Sequence, residues 1–289
     1  MSYDFQLEAK LIEQAPQLHT VFSDNVLCVQ NMLIKYQSIF PNYTDHTALH
    51  SLEVIAFCNE LIADNIDLLN TDEIFILLMS AYLHDAGMGI SIEDFERFSA
   101  ELPIVQDFMK ENPDICKDEI IRAFHNEFSG RFIEKYSPLF DFPSPEHLFA
   151  IVQTSRGHRK TDLLNKTEYP AEIKLSNGNI VHLPYLATLI RLADELDIAV
   201  DRNIQFLYDT ANLDNDVSRL EFKKHQAIKR LEILPTSLKA YVDYSDPELV
   251  APLDELFEKL NSTLSYCVRV IEEITPFSIA QKTVEIEKL

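Results

Sequence analysis

The chain has 289 residues, 46% of them hydrophobic, with five glycines, four cysteines and a formal charge of −22. That length and composition support a large core, as one domain or a main domain with a lobe. Five glycines and no GxGxxG or GxxxxGK(S/T) string argue against a glycine-rich phosphate loop, and acidity spread along the whole chain argues against a duplex nucleic-acid interface. A small anion drawn into a metal pocket stays compatible.

Cys28, Cys58, Cys116 and Cys267 lie far apart with no CxxC pair, which predicts reduced thiols and a cytoplasmic protein. The start, MSYDFQLEAK, lacks the basic and apolar segments of a signal peptide. The most apolar run, Ile74 to Leu83, has the length of a buried helix and is too short to span a bilayer. No membrane partner is expected.

In chain order, apolar residues at three- and four-residue spacing predict helices over 21–39, 46–63, 72–84, 114–136, 145–156 and 184–197. Ser91 with Asp94 resembles a capping box. Asn112-Pro113-Asp114 and Ser144-Pro145-Glu146 place cap, proline and acid in the order of a helix start. Residues 172–183 read as two short strands about Asn177-Gly178, a dipeptide suited to a tight hairpin. A second hairpin follows from alternation over Lys229 to Ile233 and Leu238 to Asp243. Asp246-Pro247-Glu248 then opens a long helix with an apolar stripe of Leu253, Leu256, Leu260, Leu264, Cys267, Val268 and Ile271. The stripe is expected to face its own chain; the alternative is a homodimer through this C-terminal helix. Thr283 to Glu287 adds an edge strand. The domains expected are a helical one over 1–200, with the 172–183 hairpin as an insertion, and an α+β lobe over 201–289.

Across this framework runs an ordered series of metal-ligating residue types: His50, His84-Asp85, His125, His158 and Asp194. Each interval is about the length of one helix, a turn and the return along the next, so a bundle can bring them together. Imidazole and carboxylate suit first-row transition metals, and a carboxylate among several histidines can bridge two ions. His46 shares a helix face with His50, and only one of the two is needed. Adjacent residues such as His84 and Asp85 diverge by about 100° on a helix, so both reach one ion only near a helix end. Gly87 and Gly89 are read as supplying that end. Asp194 lies within an apolar arc of its helix, whereas Glu195 and Asp197 look more exposed.

The strings YTDHTALHS, LHDAGMG and RLADELD, in this order, resemble the HD-domain superfamily of metal-dependent phosphohydrolases over roughly residues 40 to 200. The resemblance implies a mainly α fold, an HD-domain helical bundle, with a metal held by His50, His84, Asp85 and Asp194. His125 and His158 match the extra histidines of the family's dinuclear members, in which Asp85 would bridge two ions. The GYP motif of the cyclic-dinucleotide branch is absent. The later part, with RLADELDIAVDR and EFKKHQAIKRLEIL, looks more like bacterial HD proteins associated with Hsp90-like ATPase modules.

The implied cofactor is a divalent metal, two ions, with Mn, Mg, Fe, Co, Ni and Zn left open. The implied chemistry is hydrolysis of a phosphodiester or phosphoanhydride in a small, nucleotide-like substrate by metal-activated water, with His84 and Asp85 central. Arg156 and Arg122 flank the histidines and are further catalytic candidates, and Arg159 and Lys160 are candidates for substrate phosphate or for a solvated cluster. Glu127 and Asp45 could orient ligands. His19, His147, His182 and His225 read as structural or exposed. Tyr82, Phe124 and Tyr185 are base-stacking candidates by proximity alone. Two other readings are a di-iron oxygenase on the same ligand set and a non-catalytic nucleotide sensor.

Overall fold

The computed structural model describes residues 5–33, 48–198 and 216–289. Asp45, His46 and the predicted domain boundary near 200 lie outside them. The protein is mainly α. Helices α1 (Gln6–Gln14), α2 (Pro16–Leu33) and α3 (Ala48–Ile62) are followed by the centre of the fold, α4 (Thr71–Leu83). Every residue of α4 from Asp72 to Leu83 is buried, as expected of a helix that is apolar on all sides. It packs against α1, α2, α3, α8 (Pro145–Arg156) and α9 (Leu183–Leu196). Asn70 caps its start by accepting from the Asp72 and Glu73 amides, while Glu73 reaches back to the Asn70 amide. Among the described residues no single helix is long and apolar enough to cross a membrane.

After a short turn at Ala86–Gly89 come α5 (Ile92–Glu101) and α6 (Pro103–Glu111), which the periodicity reading did not single out. Ser91 caps α5 by accepting from the Asp94 amide, but Asp94 does not complete a box. Its buried carboxylate bonds Lys135 and the Tyr136 hydroxyl instead. Asn112 also departs from expectation: it closes α6, and α7 (Lys117–Tyr136) starts five residues later with Cys116 in the capping position. Ser144-Pro145 opens α8 as predicted.

The first hairpin pairs β1 (Ile173–Lys174) with β2 (Ile180–Val181) around Gly178 at φ +92°. It is pinned to the start of α4. Asp72 accepts from Asn177 at 2.9 Å, Asn179 at 2.6 Å and His147 Nε2 at 2.8 Å. Glu73 accepts from the amide and Nδ1 of His182 at 3.0 and 2.8 Å. Both histidines are thus structural. The hairpin clamps one end of α4, and His84 and Asp85 leave the other.

The C-terminal part contains α10 (Asp216–Ala227), β3 (Ile228–Ile233), β4 (Ser237–Val242), α11 (Val250–Ile274) and β5 (Thr283–Lys288). β4 is central, antiparallel to β3 and parallel to β5. The long helix starts at Val250, a few residues later than read, because Asp246 first closes a turn onto the Glu248 amide. Its buried stripe is Leu253, Phe257, Leu260, Leu264, Cys267, Val270 and Ile271. That stripe packs on α9 and β5 of its own chain. The four cysteines are free thiols; burial pushes the Cys267 thiol up to about 12, which leaves it inert.

Candidate metal centre

The ligand series converges. α4 ends at Leu83, His84 is its C-cap, and Asp85 leaves the helix with φ −98° and ψ 8°. The change of direction lets adjacent side chains face one space. Gly87 contributes close approach and not an unusual backbone angle: a Cβ there would meet the His125 carbonyl oxygen at 2.2 Å and the Ser129 amide nitrogen at 2.5 Å. The Gly87 amide donates to Ser129 Oγ at 2.8 Å. The turn after His84-Asp85 is thereby pressed onto α7. That helix is kinked at Phe124, whose φ of −126° and ψ of 17° are not helical, immediately before His125.

All four histidines use Nδ1 for orientation. His84 bonds the Ala81 carbonyl at 2.9 Å, His125 the Arg122 carbonyl at 2.9 Å and His158 the Ser155 carbonyl at 2.6 Å. In each case the acceptor lies three residues back, at a helix end or kink where the backbone ladder leaves carbonyls to other donors. His50 instead donates Nδ1–H to Asp197 at 2.6 Å. With Nδ1 carrying the hydrogen, each Nε2 presents a lone pair.

Those lone pairs meet. His50 Nε2 is 3.1 Å from His84 Nε2, and His125 Nε2 is 2.9 Å from His158 Nε2. Asp85 lies between the two pairs and divides its oxygens. Oδ2 is 3.4 and 3.5 Å from His50 and His84, and Oδ1 is 3.2 and 3.6 Å from His125 and His158. Asp194 Oδ1 joins the first pair at 3.3 and 3.6 Å. The groups His50–His84–Asp85 and Asp85–His125–His158 each place their donor atoms within 4.8 Å of one another, all buried.

The donor set fits a metal on chemical grounds. Facing lone pairs at hydrogen-bond distance repel unless a cation lies between them. Burial, with the His125 and His84 rings packed alongside, holds His158 well below the usual histidine range, so it offers a neutral imidazole. For Asp194, burial works to raise the carboxyl, but the close approach of its Oδ1 to His50 and His84, with His158 nearby, outweighs it and holds it well below the usual range. Neutral imidazoles and ionised carboxylates are the forms that bind metal.

Several other expectations change. Asp197 is buried at 5% exposure and orients His50, whereas the sequence placed it on the exposed side. Arg156 does not face the cluster: its guanidinium is held by Glu127 at 2.9 Å, Glu168 at 3.2 Å and Gln153 at 2.7 Å. Glu127 is therefore a brace for Arg156 and not a partner of a ligand. Arg159, half-buried, donates to the Arg122 carbonyl at 3.3 Å behind His125. Arg122 and Lys160 are exposed. Of the aromatic candidates, Tyr82 packs on Phe22 and Tyr185 stacks on Phe277, both in the core, while Phe124 lies against Phe108 at the α7 kink. Asn126, which the sequence reading missed, ties α7 to the loop after α8 by donating to the Arg156 carbonyl and Thr161 Oγ1 at 3.3 and 3.2 Å.

This fold with this cluster defines an HD-type domain, with clustered His and Asp side chains able to hold metal. The HD-CE family model matches residues 40–272, and the chain belongs to that family. No curated protein and no solved structure matches it.

Proposed function

We propose that the protein is a metal-dependent phosphohydrolase that uses two divalent ions to cleave a phosphodiester or phosphoanhydride bond in a small, nucleotide-like substrate. The observation that supports this best is the division of the Asp85 carboxylate, one oxygen toward His50 and His84 and the other toward His125 and His158. When bound, the ions supply a water acidified to near-neutral pKa and polarise the phosphoryl oxygens.

The chain's own residues do the rest. Asp85 fixes the separation of the two donor sets, and Asp194 completes the first with a second carboxylate. The Nδ1 bonds hold the four imidazoles in one tautomer and orientation before substrate arrives. Arg159 reaches to within 3.4 Å of His125 Nδ1, Arg122 and Lys160 are near His125 and His158 in sequence, and in a chain of net charge −22 such cations would draw a phosphate toward the cluster. Arg156 has a supporting role through Glu127 and Glu168.

The test is turnover of linear, cyclic and triphosphate nucleotides with added manganese, magnesium or iron. Metal-dependent release of phosphate or nucleotide supports the reading. Oxygen consumption by the iron-loaded protein without hydrolysis would replace it with the di-iron oxygenase reading, and tight nucleotide retention without turnover with a sensor.

A further inference from the structure

The segment 157–161 carries His158, Arg159 and Lys160, and the structure fastens it to the rest of the protein through Arg191 of α9. Arg191 is 7% exposed. Its Nε donates to the Gly157 carbonyl at 2.7 Å and its Nη2 to the Thr161 carbonyl at 2.6 Å, one bond at each end of the segment. A buried guanidinium usually sits on a carboxylate; this one is spent on two backbone carbonyls and the face of Tyr266, whose ring centroid lies 5.1 Å from Cζ. Tyr266, on α11, continues the connection. Its hydroxyl accepts from the Leu163 amide at 2.7 Å and donates to Asp162 Oδ1 at 3.0 Å. The same segment is held from the other side by Asn126, the neighbour of His125.

Arg191 lies one helical turn before Asp194, on the helix that supplies a donor to the His50–His84 set. The segment it grips supplies His158 to the other set. We infer that Arg191, supported by Tyr266, is a positioning residue that sets His158 against Asp85 and His125, so that the C-terminal helix governs occupancy of the second metal position and not the first. The inference rests on the two-ion reading above. The rigid fork of arginine suits this task, because it fixes two carbonyls at once where a lysine would hold one. Movement of the segment by about an ångström would spoil the His125–His158 pair while leaving His50, His84 and Asp194 in place.

The experiment compares Arg191→Met, which keeps the stem and removes both donors, with Tyr266→Phe, which keeps the ring and removes the hydroxyl. Manganese is titrated into metal-stripped full-length protein and followed by stoichiometry and by electron paramagnetic resonance, which separates isolated from exchange-coupled ions. Wild type is expected to take about two ions with a coupled spectrum. Arg191→Met is expected to bind the second ion roughly 10- to 100-fold more weakly while the first is retained, giving the spectrum of an isolated ion. Tyr266→Phe should shift the second ion in the same direction by less.

Retention of two ions at wild-type affinity by both variants would overturn the inference. So would equal weakening of both ions, which is the behaviour of general destabilisation. Tyr266→Phe keeps the test decisive if Arg191→Met fails to fold. A wild-type protein that binds no manganese would instead remove the two-ion reading itself.

Discussion

Gly87→Ala is the perturbation whose cost follows most directly from the structure. The added Cβ would lie 2.2 Å from the His125 carbonyl oxygen, 2.5 Å from the Ser129 nitrogen and 2.9 Å from the Phe128 carbonyl carbon. All three are backbone atoms, so no side chain can turn away. Van der Waals optima are about 3.5 Å, so the turn and α7 must separate by about 1 Å. Overpacking of this kind costs about 1–3 kcal/mol, and stretching the Gly87–Ser129 bond adds about 1 kcal/mol. A loss of about 2–4 kcal/mol is expected, read by urea denaturation of the metal-free protein. Because the turn carries Asp85 and α7 carries His125, manganese binding should weaken as well. Ser129→Ala separates the two contributions, since it removes only the hydrogen bond and should cost about 1 kcal/mol. A Gly87→Ala protein with wild-type stability and wild-type manganese affinity would refute the account of how this turn is seated.

Asp197→Asn should lower affinity for the first ion by roughly 10- to 100-fold, because an amide can present its NH2 to His50 Nδ1 and favour the wrong tautomer; calorimetric titration with manganese checks it. His84→Ala and Asp85→Ala should each weaken metal binding and abolish hydrolysis while circular dichroism keeps its helical signal. Asp72 gives a pH prediction. Burial works to raise its carboxyl, but the bonds from His147, Asn179 and Asn177 outweigh it and bring it from 3.8 to about 2. A depressed carboxyl stabilises the fold above its unfolded pKa and loses that contribution as pH falls through the folded one. Asp72→Asn should therefore be about 1–2 kcal/mol less stable at neutral pH, with the difference shrinking from pH 4 toward pH 2 in denaturation curves.

The residues that were legible in the sequence are those whose chemistry conflicts with their setting. His84-Asp85 at the end of the largely apolar run Ile74 to Leu83, and Asp194 within an apolar arc, stand out because buried polar groups need partners. The helix around Ile74 was legible from its composition alone. Helices α5 and α6 were harder to see because Pro103, in the first turn of α6, divides what reads as one irregular stretch. Asn112 misled because asparagine is favoured at both helix starts and helix ends. Asp197 was misplaced by helical-wheel reasoning, since α9 stops at Leu196 and Asp197, at ψ 62°, turns back toward His50. Arg156 was chosen for nearness in sequence to His158, but α8 points it toward Glu127 and Glu168. Sequence distance does not carry side-chain direction.

The central claim is that Asp85 joins two metal positions for phosphoryl hydrolysis, and its most direct test is Asp85→Asn beside wild type, assayed for manganese stoichiometry and nucleotide turnover on the same samples. The account predicts about two coupled ions and metal-dependent phosphate or nucleotide release for wild type. In the variant the coupling should disappear and turnover should fall by roughly 100-fold or more. Full turnover by Asp85→Asn, or wild type that binds no manganese and hydrolyses nothing, would contradict it.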